Sequence, residues 1–115
     1  MPQVIYKLLQ SAEWSIATAL GRYDGSAADR RDGFIHFSAA EQVAGTAAIH
    51  FAGQAGLVLL TVDPDLLDGD LRWETSRGGA RFPHLFGPMP VAAVICAREL
   101  RADMPVEAAV TALLT

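Results

Sequence analysis

The pattern of apolar and polar positions predicts a protein of the α+β class. Apolar residues at 4–9, the alternating segment 33–38 and the nearly continuous apolar run 56–62 are typical of strands, and the last is apolar enough to be covered on both faces. Apolar residues at helical spacing predict helices at 11–20 and 39–52. Strands at 71–76 and 91–98 and a helix at 105–114 complete the order. Because strands and helices stop alternating after the third strand, this order favours α+β over a doubly wound sheet.

Two segments are predicted to lack regular structure. Residues 23–32 (YDGSAADRRD) read as a ten-residue polar loop, and residues 81–90 carry prolines near their end that disfavour a regular element. The buried core is expected to come from the strands on either side of these segments. Its predicted members are Ile35, Phe37, Val58, Leu59, Leu60 and Val62.

Composition narrows the class of protein. The 115 residues are expected to form a single domain, residues 1–115, and an apolar content of 51% with 19% charged residues excludes general disorder. A net charge of −4 predicts no nucleic-acid partner. The single cysteine, Cys96, excludes an internal disulfide and is predicted to be a small buried residue. No apolar stretch is long enough for a membrane span, so we expect no membrane partner and a cytoplasmic location.

Three histidines are the first candidates for chemistry, because imidazole titrates near neutral pH. Strand alternation places His36 on one face with Phe34 and Ser38, opposite the expected core residues. His84 lies in the motif FPHLFG, where a polar group must find a partner or face a cleft. His50 ends a predicted helix, where the helix dipole favours its charged form and explains it without a function.

A polar strand and the turn after it supply further candidates. Alternation puts Glu74 on a polar face and Trp73 on the opposite face, where we expect it to stabilise the fold. The turn Arg77-Gly78-Gly79 combines a cation with glycines that allow close backbone approach, as anion binding requires. A solvated strand face and an ordinary turn are the alternatives. The sequence has neither a phosphate-binding loop nor a GxGxxG nucleotide motif. Its histidines and single cysteine match no compact metal-ligand spacing, so no metal site is predicted.

A set of motifs resembles a known family over about residues 3–98. DGFIHFS at 32–38 and the pair RWE and FPHLFG are specific in combination. The sequence is similar to a bacterial and plant family of unknown function, DUF952. The remaining matching features occur in the same order along the chain: IYKLL, Trp14, GRYDGS, Gln42, Thr46, His50-Phe51 and LVLLTVD.

A weaker resemblance carries more information about function. The order strand, Trp-containing helix, Gly-containing loop and IHFS resembles the ADP-ribosyltransferase-like fold, closest to its RNA 2′-phosphotransferase branch. The resemblance implies a split two-sheet core with helices packed on it and a nicotinamide-dinucleotide cleft between the sheets. It places His36 in that cleft and Arg77 near the dinucleotide phosphates. The His-Gly-Thr of the first strand in that branch reads Tyr6-Lys7-Leu8 here.

Two functions follow from the resemblance and the candidate residues, and both stay open. The first is an enzyme acting on NAD or an ADP-ribose-type nucleotide, with His36, Glu74 and His84 as catalytic residues. Ser38, Arg77 and Gly78 would then bind the cofactor, with Arg77 on a phosphate. The second is a module without chemistry that binds a small nucleotide or a partner in the same cleft.

Overall fold

The computed structural model describes residues 3–114, so residues 1, 2 and 115 of the predicted domain lie outside it. These residues form an α+β fold, as predicted. Its strands are β1 Ile5–Gln10, β2 Arg22–Tyr23, β3 Ile35–His36, β4 Leu57–Val62, β5 Asp70–Thr75, β6 Arg81–Phe86, β7 Met89–Pro90 and β8 Val94–Glu99. Its helices are α1 Ser11–Leu20, α2 Ala27–Asp32, α3 Val43–His50 and α4 Val106–Leu114. Within residues 3–114, no helix has the length and apolar character needed to cross a membrane.

The first sheet places β4 between β1 and β8, with both pairings antiparallel. Leu57 and Leu59 pack with residues of α3 and α4, whereas Val58, Leu60 and Val62 pack into a second cluster on the other face. Both faces of β4 are therefore covered, which explains its nearly unbroken apolar run. The prediction of the core is confirmed, because all six expected members are buried: Ile35, Phe37, Val58, Leu59, Leu60 and Val62.

The second sheet has the order β3-β6-β5, and its central strand occupies residues predicted to be irregular. That prediction is wrong because Pro83 is compatible with this strand. Its carbonyl accepts a hydrogen bond from the Phe37 amide at 3.0 Å, just where β3 has ended. The missing N–H of proline therefore removes a hydrogen bond only at the end of a two-residue strand.

The predicted loop at 23–32 is also wrong, because it contains α2. The Ser26 hydroxyl accepts a hydrogen bond from the Asp29 amide, and the Asp29 carboxylate accepts one from the Ser26 amide. This reciprocal capping box starts the helix. Gly33 ends it with a φ of 87°, a left-handed conformation that turns the chain into β3.

Residues 35–38 join these two three-stranded sheets, and the remaining sheet is the antiparallel pair of β2 and β7. His36 pairs with His84 of β6, and two residues later Ser38 pairs with Tyr6 of β1. The Tyr6 and Ser38 backbones exchange hydrogen bonds of 2.8 and 2.9 Å. The chain then turns, so that α3 begins at Val43, later than the predicted helix at 39–52.

One prediction of burial fails on an edge strand, and a second edge strand leaves a tryptophan partly exposed. Trp73 lies on β5 and is 39% exposed, and Cys96 lies on β8 and is only partly buried. Both strands pair with a single neighbour in their sheets. Alternation assigns each side chain to a face, but an edge strand leaves that face partly uncovered.

Candidate functional site

A cleft of about 940 Å³ opens beside the segment that joins the two sheets. Its walls come from β1, α1, α2, residues 36–38, α3, the turn after β5, and β6. Four of the predicted site residues line it, namely His36, Ser38, Arg77 and His84, and His50 lines it as well. All three histidines of the chain thus lie on one concave surface. Its volume is in the range of small-molecule sites.

A buried carboxylate organises one wall of the cleft. Asp29 is 2% exposed and accepts hydrogen bonds from the Lys7 ammonium at 3.0 and 3.2 Å. The same carboxylate accepts from the His36 amide at 3.2 Å and from His36 Nδ1 at 2.6 Å. Together with the amide of Ser26, these donors satisfy a group that would otherwise be costly to bury.

This arrangement shifts the pKa values of both buried groups. Burial opposes ionisation of Asp29, but the hydrogen bonds from His36, the charge of Lys7 and the backbone amides outweigh it and hold the pKa of Asp29 well below its usual range. Burial lowers the pKa of Lys7, and the Asp29 carboxylate opposes that shift. Asp29 is therefore ionised at neutral pH.

His36 also contacts a second carboxylate. Its Nε2 lies 2.9 Å from Oδ2 of Asp32, whose other oxygen lies 3.1 Å from Nε of Arg31. The hydrogen bond from Arg31, together with the charges of Arg31 and His36, lowers the pKa of Asp32. Both ring nitrogens of His36 therefore face ionised carboxylates, while the ring keeps 35% of its surface exposed.

His84 has a different environment. It is 4% exposed, its ring stacks on Phe34 at a centroid distance of 4.1 Å, and its Nδ1 lies 2.9 Å from Oε1 of Glu74. A carboxylate accepts hydrogen bonds, so Nδ1 donates to Glu74, and the neutral tautomer that matches this bond has Nε2 as its acceptor nitrogen. That Nε2 is buried and has no hydrogen-bond partner within residues 3–114.

Arg77 supplies a positive charge at another point of the cleft. Its guanidinium lies 5.0 Å over the Phe82 ring and donates to the Thr46 hydroxyl at 3.4 Å, and Thr46 in turn contacts Ser38 at 2.9 Å. A side chain at Gly45 would come within 3.2 Å of this guanidinium, so glycine allows its close approach to α3. No carboxylate among residues 3–114 forms an ion pair with Arg77.

The predicted site residues do not all contribute in the same way. Glu74 lies outside the cleft lining and reaches the site through His84. Gly78 lies in the exposed 3₁₀ turn Arg77–Gly79 and is also outside the lining. Residues 3–114 contain no cluster of three His, Cys, Asp or Glu side chains arranged to hold a metal ion.

Several residues of the cleft were missed from the sequence. Lys7 lies on the same face of β1 as the core residues Ile5 and Leu9. A charged side chain on a core-facing side of a strand indicates a buried partner of opposite charge. The partner, Asp29, is the fourth residue of the Ser26 capping box, a pattern that was present but not recognised. The proximity of Asp29 to His36 depends on how α2 packs, and no local pattern carries that information.

Comparisons with known proteins place the chain in a family. The model of the family described as "Protein of unknown function (DUF952)" matches residues 8–97. The crystal structure of protein CC0527 from Caulobacter crescentus is 54% identical, with a TM-score of 0.84 and 90% of each chain covered. A solution NMR structure of CC0527 is also 54% identical, with a TM-score of 0.77 and the same coverage. No curated protein matches. The chain belongs to the DUF952 family.

Proposed function

We propose that the cleft binds a small molecule that carries an anionic group and a hydroxyl group, and that His84 acts on it as a base. The observation that carries the proposal is the buried Nε2 of His84, which has no partner within residues 3–114 while Glu74 holds the opposite nitrogen. Burying a polar atom without a partner costs free energy, and such costs are common at functional sites. A ligand hydroxyl could donate to this nitrogen or lose its proton to it.

The anionic end of the ligand is assigned to Arg77. Its guanidinium lacks a carboxylate partner within residues 3–114. The Thr46 hydroxyl lies 3.4 Å from it, and the Ser38 hydroxyl contacts that of Thr46 at 2.9 Å. A phosphate or carboxylate there would receive charge-assisted hydrogen bonds. Phe82 and His84 are two residues apart on β6 and therefore lie on the same face of the strand. The proposed anion and hydroxyl positions thus lie along one face of β6.

Within this proposal, an ADP-ribose-type nucleotide, NAD included, is the specific candidate. The candidate comes from the resemblance of the sequence to the ADP-ribosyltransferase-like fold, whose ligand lies between two sheets. A cleft beside the junction of two sheets is compatible with that arrangement. The proposed enzyme would use His84 as the base, His36 beside it and Glu74 to orient His84.

The experiment is calorimetric titration of the full chain with ADP-ribose, NAD, AMP and inorganic phosphate. We expect binding of at least one nucleotide and a 10- to 100-fold loss of affinity in Arg77→Ala, which corresponds to about 1.5–3 kcal/mol for a charge-assisted contact. Arg98→Ala is the matched control, because Arg98 lies on β8 outside the cleft lining and is exposed. It should bind like the wild type.

Each ligand that binds is then incubated with the protein, and the products are analysed by mass spectrometry. This measurement distinguishes an enzyme from a binding module. Conversion that disappears in His84→Gln supports the enzyme, and binding without conversion supports the binding module. If none of the four compounds binds, or if Arg77→Ala and Arg98→Ala lose the same affinity, the proposed anion position is wrong.

A further inference from the structure

Five ionisable groups form a chain of contacts from solvent to core. Arg31 contacts Asp32, Asp32 contacts His36, His36 contacts Asp29, and Asp29 contacts Lys7. The separations along this chain are 3.1, 2.9, 2.6 and 3.0 Å. The Arg31 side chain is 74% exposed and that of Asp32 is 34% exposed, whereas Asp29 and Lys7 are buried. His36 is the central member.

The hydrogen-bond geometry around His36 favours donation from both of its ring nitrogens. Asp29 and Asp32 both have pKa values below their usual range, so both are ionised at neutral pH and can only accept. A neutral imidazole has one donor and one acceptor nitrogen, and its acceptor would face a carboxylate oxygen. Only the imidazolium can donate to Asp29 and Asp32 at the same time.

His84 lies opposite His36 across the β3–β6 pair, at a ring centroid distance of 5.5 Å. The Nδ1 of His84 contacts one carboxylate, that of Glu74, and the Nε2 has no hydrogen-bond partner among residues 3–114. The stacked ring of Phe34 covers one of its faces and also contacts His36 at a centroid distance of 4.6 Å. The two histidines are therefore neighbours with different numbers of carboxylate partners.

We propose that Asp29 is a positioning residue that, with Asp32, holds His36 as a fixed imidazolium, so that His36 places a positive charge beside the base His84. The functional meaning of this arrangement rests on the proposed function. Lys7 balances the buried charge of Asp29, and Arg31 balances the exposed charge of Asp32. A ligand then meets a fixed positive charge on β3 and a proton acceptor on β6.

Nitrogen NMR of the ligand-free full chain tests the proposal, because a protonated and a bare ring nitrogen have different ¹⁵N shifts. With ¹⁵N-labelled histidine near neutral pH, we expect both nitrogens of His36 to be protonated and Nε2 of His84 to be bare. His84→Gln and His50→Gln assign the signals. A bare nitrogen on His36 in the wild type overturns the proposal.

Variants separate positioning from a purely structural role. Asp32→Asn removes an exposed carboxylate and should cause loss of the doubly protonated state of His36. The double variant Lys7→Met/Asp29→Asn, which leaves no unpaired buried charge, should do the same. Asp24→Asn is the matched control, since Asp24 is exposed and pairs with Arg22, and it should leave the spectrum unchanged.

If His36 stays doubly protonated in both Asp32→Asn and the double variant, the carboxylates do not set its state and the proposal is wrong. Failure of the ligand titrations would instead refute the proposed function and leave the NMR result standing, because the spectra are recorded without ligand.

Discussion

Replacing Lys7 with methionine tests the buried ion pair beside the cleft. The change keeps an unbranched side chain of similar length in β1 but removes the cation that contacts Asp29 at 3.0 and 3.2 Å. Asp29 would keep its bonds from Ser26 and His36, yet its charge would remain buried with less compensation. Breaking a buried pair in this way costs roughly 3–5 kcal/mol, a large part of the 5–15 kcal/mol typical of a domain.

Equilibrium urea unfolding near neutral pH measures this loss. Arg98→Met is the control, because it removes an exposed cation on β8. It also loses an exposed hydrogen bond to the Leu113 carbonyl, so it is expected to change the free energy of unfolding by about 1 kcal/mol or less. The double variant Lys7→Met/Asp29→Asn removes both buried charges and should recover most of the loss. A single-variant loss below about 1 kcal/mol, or a double variant no more stable than Lys7→Met, would refute the reasoning.

Four further predictions concern stability and binding. Leu60→Ala, in the centre of β4, should cost about 2–5 kcal/mol in urea unfolding, whereas Ile95→Ala on the exposed face of β8 should cost about 0.5 kcal/mol or less. Trp73→Ala should cost clearly less than Leu60→Ala, since Trp73 is 39% exposed; an equal loss would contradict the observed exposure. The pKa of Asp29 is lower in the folded state than its unfolded value of about 3.9, so its contribution to stability is present above that pH and is lost as the pH falls further. The free energy of unfolding of Asp29→Asn should therefore depend less on pH than that of the wild type in this acidic range. Fluorescence anisotropy at physiological salt should detect no binding of a generic RNA or DNA oligonucleotide, given the net charge of −4; submicromolar binding would contradict this.

Much of the fold could be predicted because apolar patterning reports burial directly. The covered strand β4 and the core positions of Ile35 and Phe37 follow from runs and alternation alone. The strand at Arg81–Phe86 could not be predicted, because its proline is tolerated only where β3 ends, and that depends on a distant segment. The same applies to Trp73, whose exposure depends on β5 being an edge strand.

The candidate site was partly predictable for a related reason. His36, Ser38, Arg77 and His84 were singled out by their local surroundings, and they line one cleft. The carboxylates that contact His36 lie on α2, in a segment whose polar pattern predicts a loop. Whether these residues bind or transform a ligand stays a prediction for the titrations above.

The junction between the two sheets has a consequence for how the cleft can be observed. Tyr6 and Ser38 donate their amide hydrogens to each other's carbonyl oxygens across that junction, and Tyr6 and Ser38 also line the cleft. Separating the sheets would break both bonds at once, so these two amides should exchange with deuterium at a shared opening rate. Amides of β4, in the core of the first sheet, should exchange more slowly, because their exposure requires wider unfolding. The deuterium-exchange rates of these two amides thus report how often the cleft opens, and they can be measured before any ligand is known.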